Sequence, residues 1–151
     1  MTSLRVVAAG HVASDPLTVL LRSLDCGGDL GVVEMAMDAG EAGPPLHVHP
    51  THGEGFFVLA GELSFQLGEE VVTGGPGTWA FAPRDTPHTL ANHGTEPGRL
   101  LCVFAPGGFE RRFERMLTDA SGDGVDLPPS EAELATRLLG PPLTPPATRG
   151  R

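Results

Sequence analysis

Lysine and tyrosine are both missing from this chain of 151 residues, and all ten of its basic residues are arginine. No amine is available for Schiff-base catalysis and no phenol for acid or radical chemistry, so any reaction must run through His, Glu, Asp, Arg or a bound metal. There is a single tryptophan and there are two cysteines, Cys26 and Cys102, flanked by strand-like segments. In a reducing compartment these thiols read as small apolar fillers rather than a disulfide. Positive charge is scarce as well: the net charge is −9, which argues against nucleic-acid or anionic-membrane partners. No apolar run reaches the roughly 18 residues of a membrane-spanning helix. Near the start, Arg5 precedes a short apolar stretch interrupted by His11 and Asp15, unlike a secretory signal, so a cytoplasmic location is expected.

What is abundant is glycine, with 21, and proline, with 15, as many short strands joined by tight turns require. The length suits one domain with a real core. No internal repeat or low-complexity tract is evident.

The chemistry is concentrated in His47-Val48-His49, Glu54 and His88. On a β-strand, side chains at i and i+2 share a face, roughly 6.5–7 Å apart along the axis, so His47 and His49 can converge while Leu46 and Val48 turn into packing. The run 54–59 reads as the next strand, with Glu54, Phe56 and Val58 on one face. A carboxylate on so apolar a face needs a compensating charge, which a metal ion supplies. Pro87-His88-Thr89-Leu90-Ala91-Asn92 places His88, Leu90 and Asn92 on one face of a later strand. Three imidazoles and a carboxylate form a transition-metal donor set.

These segments resemble the two signature motifs of the cupin superfamily. The first is His-x-His, three or four residues, Glu, six residues and Gly, matched by His47, His49, Glu54 and Gly61. The second is Gly, five residues, Pro-x-Gly, two residues, His, three residues and Asn, matched by Gly77, Pro83, His88 and Asn92, with Asp85 where Gly is expected. Asp tolerates left-handed backbone better than most residues, so the departure bears on the turn and not on the ligands. The resemblance spans roughly residues 30–106 and implies an all-β cupin double-stranded β-helix, a jelly-roll barrel, with short C-terminal helices. The Pro-Gly-Gly-Phe-Glu-Arg stretch from Pro106 is similar to the end of small single-domain cupins of the quercetin dioxygenase-like kind. In cupins the position of Glu54 serves as ligand, as a base released from the ion, or as an outer partner, and all three roles stay open here.

Further strands are expected over 4–9, 17–24, 30–38, 62–67, 70–73, 78–82 and 99–105, with a hairpin turn at Gly68-Glu69. Past Pro106 the period becomes helical. Phe109, Phe113 and Met116-Leu117 make one apolar stripe, suited to the barrel's outside or to a partner subunit, and a homodimer is expected with this stripe as its seam. Residues 1–118 are read as the barrel with its first helix, and 119–151 as a linker, a short helix and a Pro-rich tail. Ser130 and Glu133 form a capping box for that helix, and Gly140-Pro141-Pro142 is expected to stop it after Leu138-Leu139.

His52 is read as solvent-facing or as an outer partner of the site, His11 and His93 as structural, and Asn92 as pocket or turn. Arg84 and Asp85 are a surface turn pair, with Arg84 at the rim as an alternative, and Arg111, Arg112 and Arg115 are a solvated helix face. One divalent ion (Fe, Ni, Mn, Co, Cu or Zn) with three neutral imidazoles and one carboxylate leaves about one positive charge, in a pocket walled by Phe56, Val58, Phe65, Trp79, Leu90 and Asn92. Such a site suits a small, flat or apolar molecule with one ionisable oxygen, and Glu54 could accept its proton. The leading expectation is a metal-dependent oxygenase acting on a small aromatic or enolic compound. The alternatives are a non-oxidative isomerase, cyclase, decarboxylase or lyase, and a metal-containing binding protein without turnover.

Overall fold

The computed structural model describes residues 15–122 and 126–147; the strand expected over 4–9, and His11, lie outside them. Ten strands and two helices follow in the order β1 (Leu17–Leu21), β2 (Gly31–Met37), β3 (His47–Val48), β4 (Gly53–Ala60), β5 (Leu63–Leu67), β6 (Glu70–Gly74), β7 (Trp79–Ala82), β8 (His88–Ala91), β9 (Gly98–Ala105), α1 (Arg111–Ser121), α2 (Glu131–Ala135) and β10 (Arg137–Leu138). They form two five-stranded antiparallel sheets, ordered β1-β2-β9-β4-β7 and β10-β3-β8-β5-β6. Apart from the consecutive pairs β1–β2 and β5–β6, neighbours in space are far apart in sequence, as in a jelly roll.

Period-two alternation decides which side chains fill the barrel. In β9, Leu100, Cys102 and Phe104 are buried while Arg99, Leu101 and Val103 are half-buried on the outer face. In β4, Phe56 and Val58 point inward and stand opposite Cys102 and Leu100. Leu63 and Phe65 of β5 and Leu90 of β8 complete the core from the other sheet. Both cysteines are free, Cys102 inside the core and Cys26 in a loop. Gly68, at φ 63°, turns β5 into β6, as the hairpin reading requires.

Trp79 lies on the outer face of β7, where it is 54% exposed, while its neighbour Ala80 faces the core. The expectation that Trp79 walls the pocket therefore fails. Its register opposite Phe57 sends it outward, and its ring lies over Gly55, where a Cβ would come within 2.2 Å of the indole. A glycine in β4 is what lets that ring lie flat.

Asn92 also leaves the expected pocket. It is buried, its amide donates to Met37 O at 3.2 Å and Glu96 O at 2.9 Å, and its oxygen accepts from Gly94 N at 3.0 Å. With those groups engaged on main chain, Asn92 organises the turn between β8 and β9.

The apolar stripe packs on the barrel in part: Phe109 is buried and Phe113 stacks on Phe104, while Met116 and Leu117 are exposed. Glu110 is only 2% exposed, because its carboxylate accepts from Ser23 N and Gly108 N and ties two loops together. The capping box at Ser130 and Glu133 is present, but α2 ends at Ala135 and not after Leu139. Beyond it the main chain finds a better set of partners, as Arg137 and Leu138 pair with Val48 and His47 at the edge of the second sheet. The later tail is tied down in part, with His93 Nε2 donating to Leu143 O.

Asp85, in place of the motif glycine, adopts φ 62°, and its N–H donates to His49 O at 3.0 Å. Alanine there lacks the polar side chain that makes this conformation tolerable. Asp85→Ala is expected to lower the unfolding free energy by about 1 kcal/mol, with Asp85→Gly at or above the wild-type midpoint in urea.

Candidate metal centre

Three strands, β3, β4 and β8, bring the donors together. His47 opens β3 and pairs in register with His88 at the start of β8. His49 follows β3 by one residue, so the strand that was expected to carry both histidines is shorter than their spacing suggested. Glu54 stands near the start of β4, between Phe104 of β9 and Ala82 of β7. All four side chains are buried, and their donor atoms lie within 4.8 Å of one another.

Each imidazole is oriented from behind. His47 Nδ1 donates to Pro45 O at 2.7 Å and His88 Nδ1 to Thr86 O at 2.9 Å. His49 Nδ1 lies 2.8 Å from Thr136 Oγ1, whose own proton goes to Ala132 O. With Nδ1 engaged three times, the Nε2 atoms are left for the common centre. His88 Nε2 lies 2.8 Å from Glu54 Oε2, and His49 Nε2 lies 3.2 Å from the same oxygen.

This arrangement fits a divalent ion on its own terms. His49 Nε2 is buried without a hydrogen-bond partner, its approach to Glu54 being too poorly aligned for a bond. A buried nitrogen of this kind is costly unless something takes its lone pair. Donors about 2.0–2.2 Å from one ion stand no more than about 4.4 Å apart, so the set closes on an ion by shifts of a few tenths of an ångström. His47, His49, Glu54 and His88 would hold it.

Burial alone would raise the Glu54 carboxyl, but contact with His49 and His88 outweighs it and holds the group down at about 2. Burial lowers His88, but its hydrogen bond to Glu54 and that residue's charge more than reverse this, and its pKa is raised above 6.5. Without metal, these shifts favour the pairing of a protonated His88 with the Glu54 carboxylate. His47 is pushed down to about 4, chiefly by burial, and stays neutral and ready to ligate. The Cys102 thiol is pushed well up by burial and then by the Glu54 charge, so it remains protonated near the centre.

On the core side the Phe56 ring lies 6.1 Å from His88 and 5.3 Å from Phe65, and Val58 and Leu90 are buried in the same apolar cluster. On the other side the Phe109 ring lies 4.5 Å from His49. His52, which sequence left at the surface or behind the site, is 1% exposed and stacks on His49 at 4.3 Å. Its Nδ1 meets Thr51 Oγ1, and burial, followed by His49, pushes it down to about 4. Thr136 went unnoticed in the sequence because it lies 87 residues from His49, and no local pattern links them.

The fold and the centre together define a cupin. The cupin domain family matches residues 33–104, a span that holds all four donors, and the chain belongs to the cupin superfamily. It is similar to a protein from Thermus thermophilus (29% identity, 60% of this chain and 83% of that one, TM-score 0.52). A conserved protein with a double-stranded β-helix domain from Klebsiella pneumoniae is 30% identical over 60% of this chain and 75% of that one, with TM-score 0.51. A predicted oxalate decarboxylase from Thermotoga maritima shares the fold at 21% identity, over 60% of this chain and 78% of that one, with TM-score 0.56. No curated protein matches the chain.

Protons and metal compete for His88. Because contact with Glu54 raises its pKa from the ordinary 6.5, divalent-ion affinity should climb as pH rises through the raised pKa and fall as pH drops below it. Chelator-competition titrations with Zn(II) between about pH 5.5 and about 8.5 read this directly. Glu54→Gln removes the group that raises His88, so its affinity, though lower, should level off at lower pH than wild type.

Proposed function

We propose that this chain is a metal-dependent oxygenase acting on a small aromatic or enolic compound taken up as its anion. The observation that carries the proposal is the buried three-histidine, one-carboxylate centre, whose donors lie within 4.8 Å of one another and are backed by aromatic and aliphatic walls. A divalent ion bound there supplies Lewis acidity and, if redox-active, the electrons that dioxygen chemistry needs.

The chain's own residues set the rest. Three neutral imidazoles and the Glu54 carboxylate leave the centre with about one positive charge, which favours one ionised oxygen and disfavours a dianion or a cation. Phe56, Phe65, Val58 and Leu90 keep water from the inner side, which strengthens electrostatics at the site. Glu54 is held ionised in the protein, which suits it to ligate. Once one of its oxygens is free of His49 and His88, it stands ready to take the proton released by an enol or phenol.

The test is oxygen uptake with a flavonol as probe. Protein loaded with Fe(II), Ni(II), Mn(II), Co(II) or Cu(II) should consume dioxygen in proportion to the flavonol lost, while Zn-loaded protein and His49→Ala should not. Product formed at the same rate without dioxygen would replace the oxygenase with a lyase, isomerase, cyclase or decarboxylase. Flavonol binding without turnover would make the protein a metal-containing binder.

A further inference from the structure

The family match ends at residue 104, yet one hydrogen bond at the metal centre comes from beyond it. His47 and His88 each donate Nδ1–H to a carbonyl two residues upstream, Pro45 O and Thr86 O. Those bonds form whenever the local turn forms. His49 has no such local carbonyl and is oriented by Thr136 Oγ1, at 2.8 Å, in the segment after α2.

Thr136 is itself aimed. Its hydroxyl donates to Ala132 O at 2.8 Å, so its oxygen is left to accept. A hydroxyl that accepts at His49 Nδ1 requires the proton on that nitrogen and leaves Nε2 as a lone pair facing the centre. The segment carrying it is anchored from both sides. Upstream, the Ser130 hydroxyl donates to Gly108 O and Arg115 pairs with Glu133. Downstream, Arg137 and Leu138 pair with Val48 and His47, Leu139 N donates to Leu46 O at 2.7 Å, and Leu46 N to Pro141 O at 3.2 Å. Apart from Ala132, which is buried in the core, its side chains add little, since Leu134, Leu138 and Leu139 remain 74%, 71% and 51% exposed. A segment held mainly by main-chain bonds at a sheet edge, with little apolar burial, opens at low free-energy cost.

We propose that Thr136 is a positioning residue of the metal centre, and that docking of residues 130–143 against β3 and metal binding at His49 stabilise each other. The metal arm rests on the centre binding an ion. The tautomer of His49 in the metal-free protein does not. By linkage, an ion that needs His49 Nε2 free strengthens the docked segment as much as the docked segment strengthens the ion's hold.

Thr136→Val keeps the shape and removes the acceptor, while Thr136→Ser keeps the acceptor. In metal-free wild type and in Thr136→Ser, long-range nitrogen–proton spectra should show His49 as the Nδ1–H form, and Thr136→Val should shift it toward Nε2–H. Zn(II) affinity by chelator competition should fall about 10–100-fold in Thr136→Val and stay near wild type in Thr136→Ser. Hydrogen exchange at Leu46 N–H and Leu139 N–H should slow on adding Zn(II) to wild type, and do so less in Thr136→Val. Equal affinity in wild type and Thr136→Val, equal loss in both variants, or a Thr136→Val protein that fails to fold without metal would overturn the proposal. A wild type that binds no Zn(II) but keeps the His49 tautomer contrast defeats the metal reading and the linkage, and leaves the positioning role of Thr136 supported.

Discussion

Everything at the centre depends on three hydrogen bonds made away from it. An imidazole has two nitrogens, and which one offers a lone pair is decided by what the other one donates to. Here the Nδ1 atoms of His47, His49 and His88 face Pro45 O, Thr136 Oγ1 and Thr86 O, and the Nε2 atoms consequently converge beside Glu54. If one of those partners were lost, the ring concerned could turn or change tautomer, and the set would fall to two dependable nitrogens. The barrel contributes by fixing main-chain positions. The register of His47 opposite His88, and of Glu54 opposite Phe104, places the side chains before any metal arrives.

The same geometry has an electrostatic cost that the protein meets without an ion. A fully buried carboxylate needs a counter-charge, and His88, whose Nε2 lies 2.8 Å from Glu54 Oε2, is placed to provide it when protonated. With an ion held by His47, His49, Glu54 and His88, His49 Nε2 would gain a partner and Glu54 would exchange one positive neighbour for another.

Much of this was legible in the sequence. Period-two alternation in 54–59 and 99–105 and the glycine and proline punctuation marked the strands, because which face a strand residue occupies depends only on parity. The four donors were readable because their spacing matches two known motifs in order, and the left-handed turn at Asp85 followed from its place at a motif glycine. What sequence could not supply were the relations that depend on which face of the sheet looks outward, or on contacts across long stretches of chain. Trp79 and Asn92 both sit at apolar or motif positions, yet one lies outside over Gly55 and the other is consumed by turn carbonyls. Helical periodicity after Ser130 suggested a longer α2, whereas the open edge of β3 drew residues 137–138 into a strand. Thr136 has no sequence signal at all, because its partner lies 87 residues away.

The central claim is that three imidazoles and one carboxylate grip one ion. X-ray absorption at the edge of whatever metal accompanies protein purified without chelator tests it most directly. The account predicts near-stoichiometric metal with three nitrogen donors and at least one oxygen at about 2.0–2.2 Å, and loss of that signal in His49→Ala. Metal with one imidazole or none in its shell, or an unchanged spectrum in His49→Ala, would contradict it.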